Sequence, residues 1–282
     1  MIPTSPSPIG RALRLFTAGC LLAAAPAAGL AQTLAGLWRF DNPGSAQADS
    51  SSNANTAVTG GNATYLFDAT RASGVMSFDG ANDYLTVAHS VSLSITGDIT
   101  LAAWVNVGAT IGGSNNWRGV FSKDTNGGNP SPYQFWFNAN NLAPVLGRGD
   151  GNAQAYAQPG AGTVPTENSW EHWAVTMSGA NVTFYRDGSA FFTGSLTTTT
   201  GDAGNPLYIG NRPDLALDFL GRMDDVAIFS GALDSTQINA IKGGDFSAFG
   251  VAVPEPSTHA ALAGAGALAL ALWRRRKTRA AS

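Results

Sequence analysis

The stretch "IGGSNNWRGV" sets Trp117 and Arg118 at the end of a Gly/Asn-rich loop, and "KDTNGGNPSPY" ends a second such loop at Tyr133. Flat aromatic faces beside amide donors and acceptors match a sugar, which offers hydroxyl edges and a C–H face. The two loops flank the short strand "VFSK", so both can project from one region, with Asn115, Asn116, Asn126 and Asn129 supplying amides. Trp117, Arg118 and Tyr133 are the candidate ligand-binding residues, with Trp136 and Tyr156 as secondary candidates for the same surface. A tryptophan serves equally well as a lid on an apolar core. Trp104, Trp170 and Trp173 are expected in that second role.

Hydrolytic chemistry has few residues to draw on. A glycosidase needs two carboxylates roughly 5–9.5 Å apart across the scissile bond. The glutamates are Glu167, Glu171 and Glu255, and the first two sit in "PTENSWEHW", a loop entering a strand. The histidines are His89, His172 and His259, and no Gly-x-Ser-x-Gly elbow accompanies them. His89 is expected in a loop, and His172 is expected to face solvent from its strand. The expectation is a protein that is not an enzyme.

The elements that must position these residues are strands almost throughout. "DITLAAWVNV" puts Ile99, Leu101, Ala103, Val105 and Val107 on one face, and Thr100, Ala102, Trp104 and Asn106 on the other. "HWAVTM" alternates Trp173, Val175 and Met177 against His172, Ala174 and Thr176. Period-two alternation marks a half-buried strand. In "VTFYRDGSAFF" the pair Asp187-Gly188 suits a tight primed hairpin turn. Asp79 and Asp83 frame a turn in "FDGANDY" and are expected to cap it. "LDSTQINAIKGG" is the helix candidate, capped by Asp234 or Ser235 and ended by Gly243. About a dozen short strands and one short helix near the end imply an all-β fold, a two-sheet antiparallel β-sandwich of the jelly-roll type.

The ends differ from the middle. The 282-residue chain has a net charge of −3, but residues 32–250 carry nine basic and 18 acidic side chains, while both termini are basic. An acidic middle argues against a nucleic-acid partner, which rewards clustered Lys and Arg. Residues 1–31 read as a signal peptide, with Arg11 and Arg14 before the apolar "LFTAGCLLAAAPAAGLA". Cys20 is the only cysteine, so cleavage after Ala31 leaves no disulfide and no thiolate metal site. Residues 251–282 run from Pro254, Glu255 and Pro256 through an apolar segment to Arg274, Arg275 and Arg276. At 1.5 Å per residue the run Ala260–Trp273 reaches about 21 Å, short of a ~30 Å hydrocarbon core. A weak C-terminal membrane helix with a cytoplasmic arginine stop accounts for that pattern.

The order Val-Pro-Glu-Pro-Ser, short Ala/Gly/Leu helix, arginine cluster, chain end resembles the PEP-CTERM sorting signal of Gram-negative bacteria. That resemblance implies processing by an exosortase near Pro254–Pro256. It also implies transient anchoring in the inner membrane, then release to the cell surface or extracellular matrix, often beside exopolysaccharide and biofilm functions. The series "LAGLWRFDN", "MSFDGANDYLTV", "SWEHWAVTMSGANVTFYRDGS", "PLYIGNR" and "FLGRMDDVAIFSGALDSTQINAI" resembles a laminin-G-like, concanavalin A-like jelly roll from about Leu34 to Ile241, which implies one such domain over residues 32–250. Ser52 in "DSSSNAN" stands where that family commonly has Gly.

The family resemblance implies a Ca²⁺ site at the sandwich edge. Asp49, Asn53 and Asn55 of "DSSSNAN" would supply oxygens, with Asp225 of "RMDDV". Neighbours in a strand point to opposite faces, so only one of Asp224 and Asp225 is expected at a buried site, and the family pattern favours Asp225. The same loop residues are also ordinary turn formers. The expected function is non-catalytic binding of carbohydrate or another matrix component. A structural adhesion protein without a discrete ligand is the alternative, and a sandwich glycoside hydrolase ranks third.

Overall fold

The computed structural model describes residues 32–108, 117–125, 129–138, 142–160, 162–214 and 217–252. The signal peptide and the sorting residues Pro254, Glu255, Pro256, Arg274, Arg275 and Arg276 lie outside the described residues, as do Asn115, Asn116 and Asn126. Among the described residues no helix is long and apolar enough to cross a membrane.

Two antiparallel sheets make the fold. In chain order the strands are β1 (Thr33–Trp38), β2 (Ala46–Gln47), β3 (Ala57–Gly60), β4 (Thr64–Asp68), β5 (Ser73–Asp79), β6 (Tyr84–Val87), β7 (Ile99–Val107) and β8 (Arg118–Asp124). They continue with β9 (Pro130–Phe137), β10 (Pro144–Gly149), β11 (Gln154–Ala157), β12 (Trp170–Ser178), β13 (Asn181–Arg186), β14 (Ser189–Ser195), β15 (Leu207–Ile209) and β16 (Leu220–Ser230). The first sheet runs β14-β13-β12-β7-β16-β5-β4, with β1 also on β16. The second runs β11-β10-β9-β8-β15-β6-β3-β2.

The alternation legible in the chain is the alternation observed. Ile99, Leu101, Ala103, Val105 and Val107 of β7 join Trp173, Val175 and Met177 of β12 in the core between the sheets. Phe121 of β8 and Phe135 and Phe137 of β9 meet them from the second sheet. Each such side chain removed from water contributes ~1.5–3 kcal/mol. Asp187 and Gly188 both take positive φ, 51° and 80°, as a type I′ turn requires.

The opposite face of the first sheet is half covered by the helix α1 (Ser235–Lys242). Leu233, Ile238 and Ile241 pack on Ala102, Ala174 and Ala227, whose small side chains let the helix approach closely. Asp234 caps the helix reciprocally with Gln237, at 2.9 Å in each direction.

β16 changes partners along its length. Leu220–Met223 pair with β5, whereas Val226–Ser230 pair with β1. A bulge fills the interval, with Asp225 at φ 44°. This breaks the expected separation of Asp224 and Asp225 onto opposite faces, because a bulge resets the alternation. Both carboxylates turn to one guanidinium, with Arg71 Nε 2.9 Å from Asp224 and Nη2 2.9 Å from Asp225.

Candidate functional site

The face of the second sheet that points away from the core carries a row of aromatic rings beside buried polar groups. In β9, Tyr133, Phe135 and Phe137 enter the core, so Gln134 and Trp136 point outward. Trp136 lies between Val145 of β10 and Gly119 of β8. Gln134 lies between Gly147 of β10 and Ser122 of β8. The Trp136 ring leans over Gly147, where an added Cβ would come within 2.9 Å of it and within 3.0 Å of the Tyr156 ring. Trp136 meets Tyr156 edge-on at 5.4 Å and Trp117 at 6.4 Å. Val145 and Leu217 complete this apolar cluster. Tyr156 is 45% exposed and forms the accessible end of the aromatic row.

A polar floor adjoins the row. The Gln134 side-chain amide donates to Ser122 Oγ (3.3 Å) and to Asp124 Oδ2. Asp124 is fully buried. Burial pushes its carboxyl up to about 7, against hydrogen bonding from Ser122 and Gln134 and the charge of Arg212. Two polar atoms of this floor, Asp124 Oδ1 and Trp136 Nε1, are buried with no hydrogen-bond partner among the described residues.

The sequence-derived ligand residues divide here. Trp117 is half-buried and belongs to the row. Arg118 is buried, and its Nη1 donates to the carbonyls of Trp117 (3.2 Å) and Asp218 (3.3 Å), so it braces the loop rather than flanking an open ring. Tyr133 is corrected outright. It is fully buried in the core, and its hydroxyl donates to the Leu93 carbonyl at 3.0 Å, so it offers no face to a ligand. The strand alternation that turns Phe135 inward turns Tyr133 inward too. Asp124 was not singled out in the chain because "KDTNGG" reads as a turn, and its burial is a property of the fold.

The residues named for calcium serve as turn staples. The Asp49 carboxylate accepts from Leu37 N (2.9 Å), Ser51 N (2.8 Å), Ser51 Oγ (2.7 Å) and Asn55 N (2.9 Å). The Asn53 side chain donates to the Leu34 carbonyl at 2.9 Å, and that of Asn55 to the Ala35 carbonyl at 2.8 Å. Asp225 lies across β1 from this loop, because Trp38 bridges Asp49 on one side and pairs with Val226 on the other. As arranged, these four do not fit one calcium cage. Among the described residues no three acidic, His or Cys side chains gather around one point.

His172 is a second correction. It is 2% exposed, packed edge-on against Trp104 at 5.5 Å, and burial lowers its pKa to about 3. The same face of its strand is covered by the strap of Arg71, whose guanidinium lies 4.1 Å from the Trp104 ring centre. Glu171 is also engaged, accepting from Thr166 N (3.1 Å), Trp173 Nε1 (3.0 Å) and Arg186. Asp79 and Asp83 cap their turn as expected, Asp83 accepting from Asp79 N at 2.7 Å. A cleft of about 560 Å³ beside Asn53 is lined by hydroxyls of Ser52, Ser92, Ser94 and Thr96 and by no aromatic ring.

Comparison with known proteins gives two family matches. Residues 79–239 match the concanavalin A-like lectin/glucanases superfamily, and residues 252–277 match the PEP-CTERM protein-sorting motif. No curated protein matches the chain. Among solved structures, the binding domain of Paraclostridial mosquitocidal protein 1 is similar at TM-score 0.59 and 13% identity, over 75% of this chain and 52% of that one. Domain 4 of the GH43 extracellular arabinanase AbnA of Geobacillus stearothermophilus, in complex with arabinotriose, is similar at 0.57 and 17%, over 75% and 98%. The binding domain of botulinum neurotoxin serotype D is similar at 0.58 and 13%, over 75% and 52%. The chain spans about half the length of the two toxin domains. At these identities the likeness is one of fold.

Proposed function

Because the chain belongs to the concanavalin A-like lectin/glucanases superfamily and ends in a PEP-CTERM sorting motif, we propose that it is an exported surface or matrix protein that binds carbohydrate without cleaving it. The observation that carries this reading is the row Trp117–Trp136–Tyr156 set against the Gln134–Asp124 floor. Aromatic rings give a sugar its stacking surface, and the neighbouring polar atoms fix its orientation. All these residues except Trp117 stand on strands, which hold a binding geometry more closely than loops do. The arabinanase domain bound to arabinotriose supports the same use of the fold.

The absence of cleavage rests on the acidic groups. Glu171 is tied to Arg186, and Asp224 and Asp225 are both tied to Arg71, so none of these three stands free as an acid or nucleophile, and among the described residues Asp124 has no second carboxylate bonded beside it at the floor. The sorting motif implies an exosortase as processing partner, with residence at the membrane before release.

A glycan array probed with the purified sandwich domain tests the reading. Tyr156→Ala should lose up to ~2 kcal/mol of binding, about thirtyfold, with melting almost unchanged because the ring is half exposed. Absence of binding across the array, with the domain folded, would favour a structural matrix role.

A further inference from the structure

The unpartnered atoms of the floor specify what kind of glycan the face accepts. Asp124 Oδ1 needs a donor and Trp136 Nε1 needs an acceptor. Both belong to side chains more than nine-tenths buried and held on the adjacent strands β8 and β9, where Gln134, two residues before Trp136, bonds to Asp124. A buried polar atom left unpaired costs about 1–3 kcal/mol. The fold sustains this twice on one face, beside a stacking surface.

The charges around Asp124 do not neutralise it. Lys123, the next residue, points to the other side, where its Nζ bonds to Asp202 Oδ1 and to the Asn205 carbonyl at 2.9 Å. Arg212 and Asp214 act on Asp124 with opposite signs and are bonded to each other. Among the described residues Tyr156 and Tyr208 also feel its charge, and burial raises both above their ordinary pKa. Above about pH 7 Asp124 is ionised and the face carries a negative charge, little screened because the carboxyl is buried.

We propose that Asp124 and Trp136 make this face selective for uncharged glycans, Asp124 accepting a hydrogen bond from a hydroxyl, Trp136 donating its indole N–H to an oxygen, and a uronate carboxylate being repelled. The inference rests on the carbohydrate reading above. A hydroxyl is donor and acceptor at once and serves both atoms; a carboxylate has no proton for Asp124 and brings a like charge beside it. Like charges brought together at an interface cost several kcal/mol.

The test uses mannotriose, cellotriose and galactotriose, each paired with its C6-oxidised triuronate, in titration calorimetry at pH 8.5 and pH 5.5. The wild-type domain should favour the neutral member by about tenfold or more at pH 8.5. The ratio should fall toward one at pH 5.5, where Asp124 holds its proton, and in Asp124→Asn at both pH values. Trp136→Phe keeps a ring and removes the N–H, so it should weaken the neutral member several-fold. Equal binding of neutral and oxidised members at pH 8.5, or a ratio unmoved both by pH and by Asp124→Asn, overturns the selectivity while the carbohydrate reading stands. Binding of no trisaccharide from either series, by protein shown to be folded, overturns the carbohydrate reading itself. The pH comparison uses the wild type, so a poorly folded variant leaves the proposal testable.

Discussion

Arg71 bonds to Asp225 at 2.9 Å although the two are 154 positions apart, and the same guanidinium reaches Asp224 at 2.9 Å and stacks 4.1 Å from the Trp104 ring centre. The strap closes the interval on β16 where β5 gives way to β1. Arg71→Ala would strand two carboxylates, and breaking a buried pair costs about 3–5 kcal/mol. Urea unfolding should show a loss in that range. Arg71→Lys should recover little of it, because an ammonium cannot span two carboxylates and an indole face together. A cost below about 1 kcal/mol for Arg71→Ala would show the strap to be ornamental.

Asp49 gathers four donors into one carboxylate. Asp49→Ala should therefore destabilise the domain by at least about 2 kcal/mol, since each buried donor left unpaired costs ~1–3 kcal/mol. The loss should be the same in excess calcium and in chelator. A wild-type melting temperature that falls on chelation, with the Asp49→Ala melting temperature unmoved, would return an ion to this loop.

Asp124 gives a pH signature. Its pKa in the fold is raised to about 7, above its unfolded value, so the folded state holds its proton longer. Stability then falls as pH climbs from about 4 to about 7, with ionisation opposing the fold. Asp124→Asn removes this cost. Relative to wild type it should gain stability progressively across that window and level off above it, by ~1–3 kcal/mol. His172, lowered to about 3, contributes the opposite slope in both proteins and cancels in the difference. A variant-minus-wild-type difference flat from pH 4 to pH 8 contradicts the assignment.

Tyr133 and Tyr156 separate packing from recognition. Tyr133→Phe loses the bond to the Leu93 carbonyl and should cost ~1 kcal/mol of stability with glycan affinity unchanged. Tyr156→Ala should do the reverse. Paired melting and binding measurements distinguish them, and loss of affinity in Tyr133→Phe would require a different location for the site.

The sorting motif at residues 252–277 predicts a mature form that ends near Pro254–Pro256. Mass spectrometry of the protein recovered from the surface of its native host should find no peptide containing Trp273. Such a peptide in the mature form would make the tail a retained anchor.

Local rules determined much of this molecule from the chain alone. The period-two faces of β7 and β12, the Asp187-Gly188 turn and the Asp234–Gln237 cap depend on residues a few positions apart, and all stand as the chain reads. The sandwich follows from them, since strands with one apolar face must bury it against a second such sheet. Trp117 was legible as a member of the aromatic row for the same local reason, as an aromatic ring closing a Gly/Asn loop.

What the tertiary structure decided was where partners from distant segments meet. Asp224 and Asp225 share a side because β16 exchanges one strand for another between them, and no local pattern announces that exchange. His172 is buried because an arginine from the β4–β5 turn and a helix from the end of the chain cover its strand. Asp124 became the floor of the candidate site through Gln134 on the facing strand and the turn that carries Arg212. Burial and charge depend on everything packed around a group, and those neighbours are spread across the whole chain. The side a residue faces follows from its immediate neighbours; what it meets there is settled only when the sheets close.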